Sequence, residues 1–102
     1  MEITLLLNDP PGGRCRLYRA YAAALGEHAS AQCTERFDAP PEQPELRAPA
    51  MLVNGLPVAA ADGVILMPGD IVLALGNQHA HTTRLEAILE VVMDKCMQEW
   101  ES

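Results

Sequence analysis

Residues 50–58 have the sequence AMLVNGLPV, in which two short apolar runs are separated by Asn54-Gly55. A type I′ turn needs positive φ at both of its central residues, and Asn-Gly adopts that conformation at low cost. We therefore predict an antiparallel hairpin with strands at 50–53 and 56–58. Because Pro57 has no backbone N–H to donate, we expect the returning strand to lie at an edge of the sheet.

A strand–helix–strand unit is predicted upstream of this hairpin. Residues 3–7, ITLLL, form a continuous apolar run typical of a strand buried on both faces, and NDPPGG at 8–13 ends it. Beyond this break, apolar residues recur at helical spacing: Leu17, Tyr21, Ala24 and Leu25. We expect this helix to end at Gly26 and a second strand to occupy 30–37. Two strands joined in this way are expected to pair in parallel through a right-handed crossover.

The remaining segments predict a surface loop and one or two further helices. Residues 38–45, DAPPEQPE, are too rich in proline for a regular element. Pro68-Gly69-Asp70 is typical of the start of a short helix through Leu75, and a strand over 71–75 is the alternative. Thr83-Arg84-Leu85-Glu86 matches a capping box ahead of a long helix. That helix has one apolar stripe: Leu85, Ile88, Leu89, Val92, Met93, Cys96 and Trp100.

Composition limits the class of protein. A chain of 102 residues with 49% hydrophobic residues is expected to form one domain over 1–102. Its formal net charge of -7 disfavours nucleic acid as a partner, since a phosphate backbone would be repelled. The first residues lack the basic region of a secretory signal, and no apolar run approaches the roughly 20 residues of a membrane span.

The cysteines agree with a reducing compartment. Cys15, Cys33 and Cys96 lie far apart, with no C-x-x-C spacing and an odd count. We therefore predict no disulfide framework, and we expect a cytoplasmic protein that does not bind membranes. Cys33 and Cys96 are interpreted as core residues.

The predicted order is strand, helix, strand, long loop, antiparallel hairpin and terminal helix. This β-α-β-β-β-α order, with a mixed four-stranded sheet and helices packed on it, resembles the thioredoxin-like superfamily. It is similar to the short glutaredoxin-like and selenoprotein W-like members, which lack the middle helix. Two local features carry the resemblance: Gly12-Gly13-Arg14-Cys15 at the place of the redox motif, and Pro49, directly before a strand, at the place of the cis-proline.

The resemblance also implies a departure from redox chemistry. Gly12 stands where the family carries its attacking cysteine, so Cys15 has the position of the resolving thiol alone. Thiol exchange needs an exposed thiolate as attacker. Two interpretations of Cys15 remain: a reactive thiolate beside Arg14 and a helix N-terminus, or a small apolar residue that faces inward.

Three functions follow, in order of preference. The first is a noncatalytic module that binds a protein or peptide, including a second copy of the chain, through a sheet edge or the groove beside Pro49. Its predicted binding residues are Gly12, Gly13, Arg14, Ala48 and Pro49. The second is a monothiol redox protein with Cys15 as its catalytic residue, which would exchange with glutathione or a partner thiol.

The third is weak binding of an anion or a metal ion. Gly12 and Gly13 with nearby arginines form the candidate anion site, and the alternative is that these arginines, Arg14, Arg16 and Arg19, pair with acids. His79 and His81 with a cysteine form the candidate metal site, although two histidines alone do not make one. We predict no cofactor.

Overall fold

The computed structural model describes residues 1–9, 12–63, 65–75 and 82–101. Within them the chain forms an α/β fold with a mixed four-stranded sheet and three helices. The elements in chain order are β1 Glu2–Leu6, α1 Gly13–Ala29, β2 Gln32–Arg36, β3 Ala50–Val53, β4 Leu56–Pro57, α2 Pro68–Leu75 and α3 Thr82–Glu101.

The sheet has the strand order β2-β1-β3-β4. β1 pairs in parallel with β2 and antiparallel with β3, so Thr4 lies between Thr34 and Leu52. The predicted parallel unit is therefore confirmed. The predicted hairpin is confirmed as well, because β4 is an edge strand and φ is 51° at Asn54 and 84° at Gly55.

Alternate residues of the strands face two different layers. Ile3 and Leu5 of β1 join Met51 and Val53 of β3 in the main core. Leu52 is buried on the opposite face, outside that core, where residues 40–43 of the proline-rich segment border the sheet. The segment at 38–45 thus forms a loop, as expected, and it covers part of the second face.

The end of α1 differs from the prediction. The helix continues through Gly26 and stops at Ser30, which takes the left-handed conformation with φ of 55°. A Cβ added at Gly26 would lie 3.4 Å from the carbonyl oxygen of Ala31, where the chain folds back. That distance is an ordinary contact, so packing does not require glycine at this position; Gly26 lies inside the helix, and the predicted boundary was wrong.

The C-terminal half packs as two helices. Residues 71–75 belong to helix α2, so the strand alternative was wrong; the Asp70 carboxylate accepts the N–H of Met67 at 2.9 Å before the first turn. α3 packs against α1 and α2. Its predicted stripe is buried at Leu85 and Leu89 and partly buried at Ile88, Val92, Met93 and Cys96.

The start of α3 lies one residue before the predicted cap. The helix begins at Thr82, so Thr83 is already inside it. The side chains of Thr83 and Trp100 lie outside the described part of the chain. Among the described residues, no helix combines the length and apolarity needed to cross a membrane.

Candidate functional site

A groove of about 360 Å³ lies where the start of α1 meets the segment before β3. Its polar side comes from Arg14 and Tyr18 of α1 and from Arg47. Its apolar walls are Ala48, Pro49, Ala50, Val58, Ala60 and Leu66. We call this hollow the Pro49 groove.

Local sequence explains how these residues meet. α1 begins at Gly13, the last residue of the break at 8–13, and the four-residue spacing of Arg14 and Tyr18 puts both on one side of its first turns. The Ala48–Pro49 peptide bond is cis, and Pro49 directly precedes β3. Val58 continues the hairpin, with its N–H donating to the carbonyl oxygen of Met51 at 2.8 Å. The hairpin thus places Val58, which follows it, beside Ala48 and Pro49, which precede it.

The structure brings together three of the five predicted binding residues: Arg14, Ala48 and Pro49. Gly12 and Gly13 precede Arg14 in the chain but do not line the groove. A Cβ added at Gly12 would meet no atom within 4 Å, so no close approach requires glycine at that position. Arg47 was missed by the sequence reasoning, although it is the basic residue directly before Ala48-Pro49.

Two tyrosines of α1 hold the floor of the groove at Leu66. The Tyr21 hydroxyl donates to the carbonyl oxygen of Leu66 at 3.0 Å, and the N–H of Leu66 donates to the Tyr18 hydroxyl at 3.1 Å. Both side chains are buried. Burial is the main reason why the pKa of each hydroxyl is raised, so both stay protonated at neutral pH.

Cys15 lies in the core and does not line the groove. Its side chain is 0% exposed, and its Sγ accepts the N–H of Asn8 at 3.4 Å. The inward interpretation of this cysteine is therefore confirmed, and the side chain lacks the exposure expected for a catalytic Cys15. A thiol in this position has no path to a disulfide without local opening of the fold.

The other cysteines occupy different environments. Cys33 is exposed, so its assignment to the core was wrong; β2 is an edge strand whose residues are all exposed. Its Sγ donates to the carbonyl oxygen of Ala22 at 3.3 Å, and partial burial raises the pKa of the thiol. Cys96 is partly buried against the core, and burial followed by the charge of Glu99 raises its pKa.

The candidate anion site at the start of α1 loses part of its charge to an ion pair. Arg19 donates from Nε and from one terminal nitrogen to the two carboxylate oxygens of Glu35, at 2.9 and 3.1 Å. The alternative that the arginines pair with acids is thus confirmed for Arg19.

The sheet carries a second hollow on its other face. It has a volume of about 390 Å³, and we call it the sheet hollow. Its lining includes Thr4, Thr34, Arg36, Glu42, Gln43 and Leu52. No sequence motif pointed to it, because its residues come from three strands and a loop that are distant along the chain.

The candidate metal site cannot be placed. His79 and His81 lie outside the described residues. Within the described ranges, no three His, Cys, Asp or Glu side chains group closely enough to hold a metal ion.

Comparison with known proteins gives no relative on which to base a function. No protein-family model, no curated protein and no solved structure matches the chain. The function therefore has to be argued from the chemistry of the Pro49 groove itself.

Proposed function

We propose that the chain is a noncatalytic thioredoxin-like module that binds an extended segment of a partner protein in the Pro49 groove. The observation that carries the proposal is the convergence of Arg14, Ala48 and Pro49 on one groove, although 33 residues lie between the first two in sequence. These residues were selected from the sequence as a binding site. Fold similarity by itself would not assign a function.

The connectivity supports the thioredoxin-like part of the proposal. β1, α1 and β2 form a parallel unit, and the β3–β4 hairpin adds to β1 in the antiparallel sense. A cis-proline directly before the third strand agrees with the resemblance. The short helix α2 between the hairpin and α3, predicted from Pro68-Gly69-Asp70, is an addition to the β-α-β-β-β-α order of the resemblance.

The lining of the groove supports a peptide as the ligand. Ala48, Pro49 and Ala50 are small or rigid residues that line the groove without long side chains. Val58, Ala60 and Leu66 supply apolar contacts for alternate side chains of such a chain. Arginines at one end add an anchor for a polar group.

The monothiol alternative has less support. An attacking thiolate must reach a disulfide sulfur, and the Cys15 side chain is 0% exposed. The exposed thiol belongs to Cys33, which lies on β2 and does not line the groove. The proposed module therefore acts by binding and not by thiol exchange.

Titration of the labelled protein with unstructured peptides of acidic, neutral and basic composition tests this function. We expect amide shifts at Arg14, Ala48 and Ala50 with at least one peptide class. Ala60→Trp should fill the groove and weaken binding about tenfold or more, because the indole occupies the space of the peptide. Ala23→Trp, at an exposed position of α1, is the matched control and should bind as the unmodified protein does.

Two results would contradict the proposal. One is that no peptide shifts the groove amides. The other is that glutathione disulfide produces an adduct at Cys15 in the native protein, as detected by mass spectrometry, which would favour the monothiol alternative.

A further inference from the structure

We propose that the Pro49 groove selects a carboxylate in the segment it binds, with the hydroxyl of Tyr18 and the guanidinium of Arg47 as its donors. This inference rests on the proposed function and names the chemistry that the groove recognises. The carboxylate belongs either to an Asp or Glu side chain of the partner or to its C-terminus.

Tyr18 is the buried half of this site. Its side chain lines the groove although it is only 2% exposed. A tyrosine hydroxyl has one hydrogen to donate and can also accept. The Tyr18 oxygen accepts the N–H of Leu66 at 3.1 Å, while its own hydrogen goes to no acceptor in the described part of the chain. A buried donor of this kind gains most from an acceptor supplied by a ligand.

Arg47 is the charged half. It is exposed at the groove and forms no ion pair with any described carboxylate. Its planar guanidinium can donate two parallel hydrogen bonds to a carboxylate. Arg14 also lines the groove; it already takes part in another interaction, so its contribution is its positive charge.

The charge of the groove is opposite to that of the whole protein. The chain has 14 acidic and 7 basic residues, yet two of the basic residues line this groove and none of its described lining residues is acidic. A negatively charged ligand is therefore repelled by the net charge of the protein at a distance and attracted by the arginines at this groove. Such an arrangement favours selectivity over fast association.

One nearby acid opposes the ligand. Burial raises the pKa of Tyr18; the hydrogen bond from Leu66 and the charge of Arg14 lower it, and the charge of Asp62 raises it. Asp62 follows Ala60, a lining residue of the groove, by two positions in the chain. Its Oδ1 accepts the N–H of Ile65 at 2.9 Å, which holds the carboxylate in the turn before Leu66.

Peptides of one sequence distinguish the sources of the carboxylate. The set carries Glu or Gln at one internal position, each with a free or an amidated C-terminus, and a phosphoserine version is added. We expect loss of the recognised carboxylate to weaken binding about tenfold, as measured by isothermal titration. The internal and terminal substitutions show which carboxylate is used.

Two tyrosine variants provide a matched pair. Tyr18→Phe and Tyr21→Phe each remove one buried hydroxyl that bonds to Leu66, but only Tyr18 lines the groove. We expect Tyr18→Phe to weaken binding of the carboxylate peptide about tenfold and to leave binding of the neutral peptide unaffected. Tyr21→Phe should leave the affinity for both peptides unchanged. Should Tyr18→Phe fail to fold, Arg47→Gln at the exposed position replaces it with the same expected loss.

Several outcomes would overturn the inference. Equal affinity for the Glu and Gln peptides with either terminus, equal losses in the two tyrosine variants, or preference for the phosphoserine peptide each contradict carboxylate recognition. If the Glu and Gln peptides bind equally but still shift the groove amides, the proposed peptide-binding function stands. If no peptide binds while propionate alone shifts Arg47 and Ala48, the carboxylate site stands and the peptide-binding function fails.

Discussion

The Pro49 groove and the sheet hollow have nearly the same volume, about 360 and about 390 Å³, but they use their polar groups in opposite ways. The sheet hollow contains Arg36 together with Glu42, so its charges balance within the protein. The Pro49 groove contains Arg14 and Arg47 with no acid among its described lining residues. Size therefore does not distinguish the two hollows, whereas the charge of their lining residues does.

Hydrogen bonds at the sheet hollow favour a structural role for it, as a contact between the proline-rich loop and the sheet. The side-chain amide of Gln43 donates to the carbonyl oxygen of Gly55 at 2.9 Å, and Nε of Arg36 donates to the carbonyl oxygen of Asp38 at 3.3 Å. The first bond ties the proline-rich segment to the hairpin turn, and the second ties it to the end of β2. The side chains of Gln43 and Arg36 are thus already used by the fold.

The largest expected effect comes from the floor of the sheet hollow. Leu52 is 2% exposed there, and Leu52→Ala should lower the free energy of unfolding by about 2–5 kcal/mol, because a cavity replaces a packed side chain. Leu56→Ala, in the same hairpin but 72% exposed, should change it by less than about 0.5 kcal/mol. Urea denaturation measures both variants. Equal free energies of unfolding for the two variants would show that the sheet hollow is open and not a packed contact.

Charge reversal in the two hollows tests the comparison directly. Arg47→Glu should weaken binding of the carboxylate peptide by about tenfold or more, since attraction becomes repulsion beside the ligand. Arg36→Glu makes the same change of net charge at the sheet hollow and should leave the affinity within about twofold. Titration at low and moderate salt measures both. Similar losses in the two variants would mean that the overall charge, and not the groove, controls binding.

The parts of the fold that were predictable are those fixed by short-range chemistry. Asn54-Gly55 specifies its own turn, and the run at 3–7 is long and apolar enough to identify a buried strand. Gly26 misled the prediction because glycine is common just past a helix end but is also tolerated inside a helix. The helix continues to Ala29, and Ser30 takes the left-handed conformation that the sequence pattern had assigned to Gly26.

The candidate site was predictable only in part, for the same reason. Pro49 and Arg14 stand in recognisable local patterns, and the structure places both at one groove. Tyr18 was not among the predicted binding residues, because the unused hydrogen of its hydroxyl becomes visible only when Leu66 is seen beside it. Cys33 was misassigned because the order of strands in the sheet decides which strand is exposed.

The smallest expected effect concerns the acid beside Tyr18. Asp62→Asn keeps an oxygen for the N–H of Ile65 but removes the charge that acts on the Tyr18 hydroxyl, so a ligand carboxylate should bind about two- to threefold more tightly. The gain should shrink as salt is added, because the Debye length falls from about 10 Å at 0.1 M to about 3 Å at 1 M.

Asp38→Asn is the matched control for this variant. Asp38 is an exposed acid next to Arg36 at the sheet hollow, and its removal changes the net charge by the same amount. Isothermal titration of both variants with the carboxylate peptide separates a local from a global effect. If Asp38→Asn tightens binding as much as Asp62→Asn, the gain reflects the charge of the whole protein, and Asp62 has no special position relative to the Pro49 groove.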